Sequence, residues 1–307
     1  EANQAARQAE KERKEAAKQA EKEAKKAARL ANQAAKAARE AEKKEEERFL
    51  AMAKRFKEMP QLEGKVTLTE AKATLQLKEG YRFIGKEDAA FAKNLAALKA
   101  QPIPTTFLNG FITSDIPMVG PDAQHDKVEK WVRTAFPRAR QLGVGIVTVG
   151  SGGSRRCPKG FDPAKAREQF SKVLGRIAPI ARDNGIRLTI ENLNTAETNL
   201  CTSIAESVEV ITAAGPDVYL TADIYHMMRD DDPAAELRKA KGRLIHCHVA
   251  EKEVRSAPGT KGDDFRPHLR VLRELGYAGA FSFECGWAKS VSPDKAIAAF
   301  RHQLATL

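Results

Sequence analysis

Residues 60–307 predict a (β/α)8 barrel, a TIM-barrel member of the α/β class, preceded by a long Ala/Lys/Glu-rich helix. Three observations lead there. Short β-branched or apolar runs alternate with helical stretches eight times over about 248 residues. Several runs are apolar throughout, as strands covered on both faces are. No GxGxxG follows the first strand, which argues against a doubly wound open sheet.

The chain begins with an arm, residues 1–59, that holds no Gly, Pro or Cys and is dominated by strong helix formers. As one helix it would extend on the order of 90 Å. Alanines at 17, 20, 24, 27, 31, 34, 38 and 41 keep a 3–4 heptad alternation, a coiled-coil register built from the smallest apolar side chain. Such a seam buries little area, so homo-oligomerisation through it is expected to be weak. Phe49, Met52 and Phe56 add a short apolar stripe. The alternatives are an oligomerisation helix, a partner tether, a basic arm, or a solvated helix with interleaved charges.

Within the barrel, strands are expected at 65–69, 81–84, 103–108, 144–149, 186–191, 218–222, 244–249 and 280–284. Helices are expected at about 70–78, 87–100, 124–142, 163–184, 203–214, 233–240, 264–275 and 293–306. The whole chain carries 52 basic against 41 acidic side chains, net +11. The arm holds 17 and 12 of these, with alternating signs and no aromatic residue in its first 48 positions. That pattern argues against a nucleic-acid partner. No run approaches the roughly 20 apolar residues of a membrane span, and no secretory signal is visible. Cys157, Cys201, Cys247 and Cys285 contain no CxxC pair. Reduced packing cysteines in a cytoplasmic protein are expected.

In a barrel, chemistry gathers at the C-terminal ends of the strands. There stand Asn109, the run Gly150–Arg156, Glu191, Asp223, His248 and Glu284. Two glutamates, an aspartate and a histidine ending four different strands suit one divalent cation with mixed oxygen and imidazole ligation, such as Mn2+, Co2+ or Mg2+.

These residues lie in the phrases IENLNTAE (190–197), ADIYHMM (222–228), HCHVAEKE (246–253) and FSFECGW (281–287). FLNGF (107–111), VGPD (119–122) and GSGGSRRCPKGF (150–161) add to them. Together the phrases resemble the xylose isomerase-like TIM-barrel superfamily, in its sugar (phosphate) isomerase/epimerase branch. The resemblance implies that Glu191, Asp223, His248 and Glu284 bind one metal ion, with Mn2+ favoured. It implies that Glu191 and Glu284 double as the acid/base pair, and that Glu197 and His226 contact substrate. The family's arginine beyond the histidine ligand falls on Val254, whereas this chain has Arg255 one place later.

The expected activity is isomerisation or epimerisation of a sugar or small hydroxy-carbonyl compound by proton transfer through an enediolate. Trp287 is expected to line the mouth. The Gly150–Arg156 run admits two readings: an anion-binding nest with Arg155 and Arg156, or a rim loop with a salt-bridging arginine. A hydroxypyruvate isomerase-like enzyme would use those arginines as a carboxylate clamp on a keto acid, and an inosose dehydratase shares the scaffold. The non-enzyme alternative is a partner-binding protein with an inert barrel. His246 reads as a supporting neighbour of the metal or as a strand histidine. His125 reads as a local cap or packing residue, and His268 and His302 as surface or helix-packing groups. Asp230–Asp232 read as the N-cap of the helix that follows.

Overall fold

The computed structural model describes residues 65–69, 72–76, 95–96, 98–100, 104–287 and 292–307. A division between Met59 and Pro60 separates the chain into two units. The helical arm expected over residues 1–59 and the strand expected at 81–84 lie outside the described residues.

Residues 65–69 and 72–76 form an antiparallel hairpin. Strand β1 (Lys65–Thr69) is followed by a second strand, β2 (Lys72–Gln76), where a helix was expected. The two pair antiparallel, from Lys65 opposite Gln76 to Thr69 opposite Lys72. Glu, Ala and Lys give this segment a helical composition, but Ala73, Thr74 and Leu75 alternate with the period of a strand, and pairing with β1 outweighs weak propensity. Beyond the hairpin, residues 95–96 and 98–99 are helical, as expected there.

Among the described residues the main sheet has six strands: β3 (Phe107–Leu108), β4 (Ile146–Val149), β5 (Arg187–Glu191), β6 (Val218–Asp223), β7 (Leu244–Val249) and β8 (Ala280–Phe283). They are hydrogen-bonded in chain order, and every neighbouring pair is parallel. Strand β1 lies against β8. Strand β3 is shorter than expected, because Pro104 supplies no ladder donor and residues 104–106 are not strand.

Helices α1 (His125–Leu142), α2 (Pro163–Asp183) and α3 (Ile204–Ala214) cross between consecutive strands. Asp162 and Ser203 cap α2 and α3 by accepting backbone N–H groups two or three residues on. A short helix α4 (Ile224–Arg229) follows β6 directly, and the next segment, Ala234–Ala240, winds as a 3-10 helix. Helices α5 (Arg266–Glu274) and α6 (Pro293–Ala305) flank β8 in sequence.

Alternate residues of each strand face opposite sides. Val147, Leu188, Ile190, Leu220 and Ala222 are fully buried in the apolar core. On the other face, Thr148, Thr189 and Thr221 close a ring of hydroxyls, at 2.5, 2.8 and 3.0 Å. Two residues further along the same face stand Gly150, Glu191 and Asp223. The period-2 rule thus lifts one polar layer above another and sets the carboxylates at the strand mouths.

Candidate active site

Glu191 ends β5, Asp223 ends β6, His248 lies one residue from the end of β7, and Glu284 follows β8. One ligand atom from each of these four lies within 4.8 Å of all the others. His248 Nδ1 is their focus: it contacts Glu191 Oε1, stands 2.8 Å from Glu284 Oε2 and 3.8 Å from Asp223 Oδ2. Asp223 is also the N-cap of α4, since its Oδ1 accepts Tyr225 N at 2.8 Å and His226 N at 3.3 Å.

Packing three carboxylates into a buried site shifts their titration. Burial pushes Glu191 up, and the charges of Glu284 and Asp223 add to it. Asp223 rises to about 6, chiefly by burial. Burial acts on Glu284 in the same direction, but the charge and hydrogen bond of His248 and the charge of Arg255 outweigh it and hold the carboxyl low. His248 goes the other way: burial opposes its charge, and Glu191 and Glu284 more than compensate, raising it well above the usual imidazole range.

Arg255 reaches this cluster although it sits one residue beyond the place the resemblance implies. Its Nη2 lies 2.9 Å from Glu284 Oε2 and 3.3 Å from Asp223 Oδ2, and Nη1 lies 3.4 Å from Glu197 Oε1. Its Nε donates to the Glu284 carbonyl at 2.9 Å, and the guanidinium rests 4.7 Å over the Tyr225 ring. Val254 and Arg255 both adopt left-handed backbone, φ 49° and 52°, which takes up the additional residue. Left-handed φ is costly for a β-branched residue such as Val254, so the surrounding loop must hold it there.

Asn109 bridges the two glutamates. Its Nδ2 donates to Glu284 Oε1 at 3.0 Å and approaches Glu191 Oε2 at 3.4 Å. Gly150 makes room for that arrangement, since a Cβ there would overlap both Asn109 Oδ1 and Glu191 Oε2. Across the site, His226 is buried, and its Nδ1 accepts from Asn194 N at 3.1 Å and lies 2.9 Å from Asn194 Nδ2. The proton therefore resides on Nε2, which has no hydrogen-bond partner among the described residues. Burial holds His226 down to about 4. Glu197, His226, Asn109, Gly150, Arg255 and Glu284 share the lining of one cavity of about 510 Å3 with Glu191 and His248. That volume lies within the usual range for small-molecule sites.

Three expected site residues are elsewhere. Arg155 is fully buried: its Nη2 donates to the Glu191 carbonyl at 2.6 Å, and its guanidinium lies 5.8 Å from the Phe170 ring centre. It braces the β5 mouth from behind. Arg156 Nη2 donates to the Glu197 carbonyl at 2.7 Å, so it holds the loop and does not enter the cavity. Trp287 does not line the cavity either. Gly152 and Gly153 are small because Glu197 O and Ser114 Cβ pack where a side chain would go.

The acidic run is redrawn, and the remaining histidines fall on one of their expected readings. Asp230 accepts from Thr195 N at 2.6 Å, Asp232 from Ile204 N at 2.9 Å, and Asp231 pairs with Lys252 at 2.8 Å. That acidic run ties neighbouring loops together, and no side chain caps the 3-10 helix after it. His246 lies 2.7 Å from Ser282 Oγ and stacks on Phe107. His125 lies 2.8 Å from the Met118 carbonyl, as a local packing group would. His268 is buried on α5, the helix-packing one of its two expected readings.

Sequence reasoning missed Asn192, Asn194 and Glu251. Asn192 clamps Asp223 by its backbone, accepting from Asp223 N at 2.8 Å and donating to its carbonyl at 3.2 Å. The available signal was the pair Asn192 and Asn194 just beyond a strand end, where polar side chains must find partners.

The sequence model of the xylose isomerase-like TIM barrel matches residues 73–305. The chain belongs to that family. Among curated relatives of this xylose isomerase-like barrel, an L-ribulose 3-epimerase from Mesorhizobium japonicum is 30% identical over 145 residues, 46% of each chain. An L-ribulose 3-epimerase from a Methylomonas species is 30% identical over 135 residues, 43% of this chain and 47% of that one. The chain thus spans about half the length of the curated relatives it matches. Among solved structures, a D-psicose 3-epimerase crystallised in the presence of D-fructose superposes with a TM-score of 0.60 at 20% identity, over 74% of this chain and 85% of that one. An Escherichia coli 3-keto-D-glucoside 4-epimerase gives 0.57 at 20% identity, over 71% and 85%. These likenesses agree with the barrel fold.

Proposed function

We propose that this chain is a metal-dependent sugar epimerase that inverts one carbon of a ketose, with Glu191 and Glu284 as its acid/base pair. The observation that carries the reading is the meeting of those two carboxylates with Asp223 and His248, one ligand atom from each within 4.8 Å of the rest. The names of the two curated relatives, both L-ribulose 3-epimerases, support the same class.

The donor set fits a divalent cation: three hard carboxylates and one imidazole crowd a buried space, and burial makes their uncompensated charge costly. Glu191, Asp223, His248 and Glu284 would hold the ion, with Mn2+ the first choice and Co2+ or Mg2+ the others. When bound, it supplies charge stabilisation to the oxygens flanking the reacting carbon. The rest belongs to side chains. One glutamate removes the proton alpha to the carbonyl, and the other returns a proton to the same carbon from the opposite face. Return to the former carbonyl carbon would instead shift the carbonyl one place along the chain and yield a positional ketose isomer. Asn109 keeps the two carboxylates in register, His226 donates Nε2–H to a substrate hydroxyl, and Arg255 and Glu197 bind further hydroxyls at the rim.

The keto-acid reading loses support because Arg155 and Arg156 are committed to backbone carbonyls. A dehydratase would use the same carboxylates and is told apart by loss of water from its substrate. A reducing compartment, such as the cytoplasm, suits four buried cysteines outside any disulfide, of which Cys201 and Cys247 are pushed up to about 12 by burial. Self-association of the barrel, or through the alanine seam, is read from molar mass with and without residues 1–59.

The deciding experiment incubates the protein with Mn2+ and L-ribulose or D-psicose in D2O. Deuterium at the inverted carbon with bound metal supports the reading. Exchange and metal both absent would falsify it, and an inert barrel would then be the better description.

A further inference from the structure

Glu251 is fully buried, three residues beyond His248, and its side-chain hydrogen bonds go to residues 256–262 and not to the four clustered residues. Its carboxylate gathers the loop that follows β7. Oε1 accepts from Gly259 N at 2.8 Å and Gly262 N at 3.0 Å, and Oε2 accepts from Lys261 N at 2.5 Å and Ser256 Oγ at 3.1 Å. Gly259 and Gly262 have φ of 82° and 87°, a conformation other residues rarely adopt, and this turns their N–H groups inward. The backbone repeats the closure: Glu251 N donates to Ser256 O at 2.8 Å, and Gly286 N donates to Arg255 O at 2.6 Å. Between these ties sit Val254 and Arg255, the left-handed pair that delivers the guanidinium to Glu284, Asp223 and Glu197.

We propose that Glu251 is a positioning residue: a buried anion, offered as four acceptor sites to one loop, that holds the Val254–Arg255 turn against its backbone strain and thereby sets Arg255 in the cavity. The proposal rests on the epimerase reading only where turnover is measured. A carboxylate suits the task because every group facing it is a donor. Glutamine would present an NH2 to at least one of those N–H groups and leave it without a partner.

The test compares wild type, Glu251→Gln, Ser256→Ala, Arg255→Gln and the Glu251→Gln/Arg255→Gln double variant. Two readouts need no substrate. One is the Arg255 Nε–H resonance, identified by its loss in Arg255→Gln. The other is amide hydrogen exchange over residues 252–262. In Glu251→Gln the resonance is expected to broaden or shift, and exchange in that segment to rise at least tenfold, with β5 and β6 unchanged. Ser256→Ala, which removes one donor and leaves the carboxylate, is expected to move both readouts less and in the same direction. It decides the matter if Glu251→Gln fails to fold.

With Mn2+ and L-ribulose, kcat/KM is expected to fall about 30-fold in Glu251→Gln. The double variant should then be no worse than Arg255→Gln alone, because Glu251 acts through that arginine. An unmoved Arg255 resonance, unchanged exchange, or fully additive losses would overturn the proposal. Absence of turnover in wild type would count against the epimerase reading, and the resonance and exchange would still decide the role of Glu251.

Discussion

Asn194 determines which nitrogen of His226 carries the proton. Its backbone N–H occupies Nδ1 at 3.1 Å, so the proton sits on Nε2, a buried atom 3.4 Å from Asp223 Oδ2. Burial holds this imidazole down to about 4, so it stays neutral from pH 5 to 8. In His226→Asn, kcat/KM should fall by about 10- to 100-fold, while the acid limb of the pH–rate profile keeps its midpoint. A displaced acid limb would show that His226 titrates during turnover.

The acid/base pair makes a stronger demand. Replacing either glutamate, in Glu191→Gln or Glu284→Gln, should lower deuterium wash-in by about 1,000-fold or more. Each variant should keep its wild-type circular dichroism. A Gln variant at either position that still exchanges at a tenth of the wild-type rate would remove that residue from proton transfer.

Metal affinity should climb with pH. His248 is raised well above 6.5 by its carboxylate neighbours, and Asp223 is raised to about 6 by burial. An entering ion must displace those protons, so binding is weakened below each folded pKa and strengthens as pH rises through it. Calorimetric titration with Mn2+ should show affinity rising about tenfold per pH unit between pH 5.5 and 7.5. Proton release should be visible as a dependence on buffer ionisation enthalpy. A flat profile would mean that the ion binds elsewhere.

Gly150 tests the closeness of the cluster. A methyl group in Gly150→Ala would overlap Asn109 Oδ1 and Glu191 Oε2. Activity should fall by about 100-fold for a displacement near 1 Å, with the melting temperature little changed. Full activity would show that the Asn109 bridge to the glutamates is dispensable.

His268 sets an acid limit on stability. Both ring nitrogens lack hydrogen-bond partners among the described residues, and burial lowers it to about 4. The unfolded chain binds this proton more readily, so the stabilisation is complete above pH 6.5 and is lost as pH falls toward 4. Between pH 7 and pH 5 the loss from this one group should be about 2 kcal/mol. Urea denaturation at both pH values should show a smaller difference in His268→Phe than in wild type. An equal difference would assign the acid sensitivity to other groups.

Much of this arrangement could be read from residue order alone. Strands β5 to β8 announce themselves as apolar runs, and Glu191, Asp223, His248 and Glu284 stand where those runs stop. The losses have physical causes. Residues 72–76 have a helical composition, and only pairing with β1 makes them a strand. In the run Arg155–Arg156, nothing local shows that the first arginine turns inward to a carbonyl of β5 and the second to Glu197. Arg255 reaches the cavity through two left-handed residues, and backbone handedness at a non-glycine is set by the loop around it. Glu251 was missed for the same reason: its partners come from residues 256–262, and only the folded loop brings them to one point.

The ring of Thr148, Thr189 and Thr221 has a consequence for the ground beneath the carboxylates. Three hydroxyls in a closed circuit, each giving one proton and taking one, satisfy themselves with the donations running in either sense. Their dipoles largely cancel around the loop, so the circuit neither calls for a counter-charge nor offers a spare proton. It stitches β4, β5 and β6 together sideways at a level two residues below the mouth. The charged layer thus rests on an electrically quiet, self-contained floor, and Glu191 and Asp223 must look upward into the cavity, not down into the barrel, for the proton or cation that balances them.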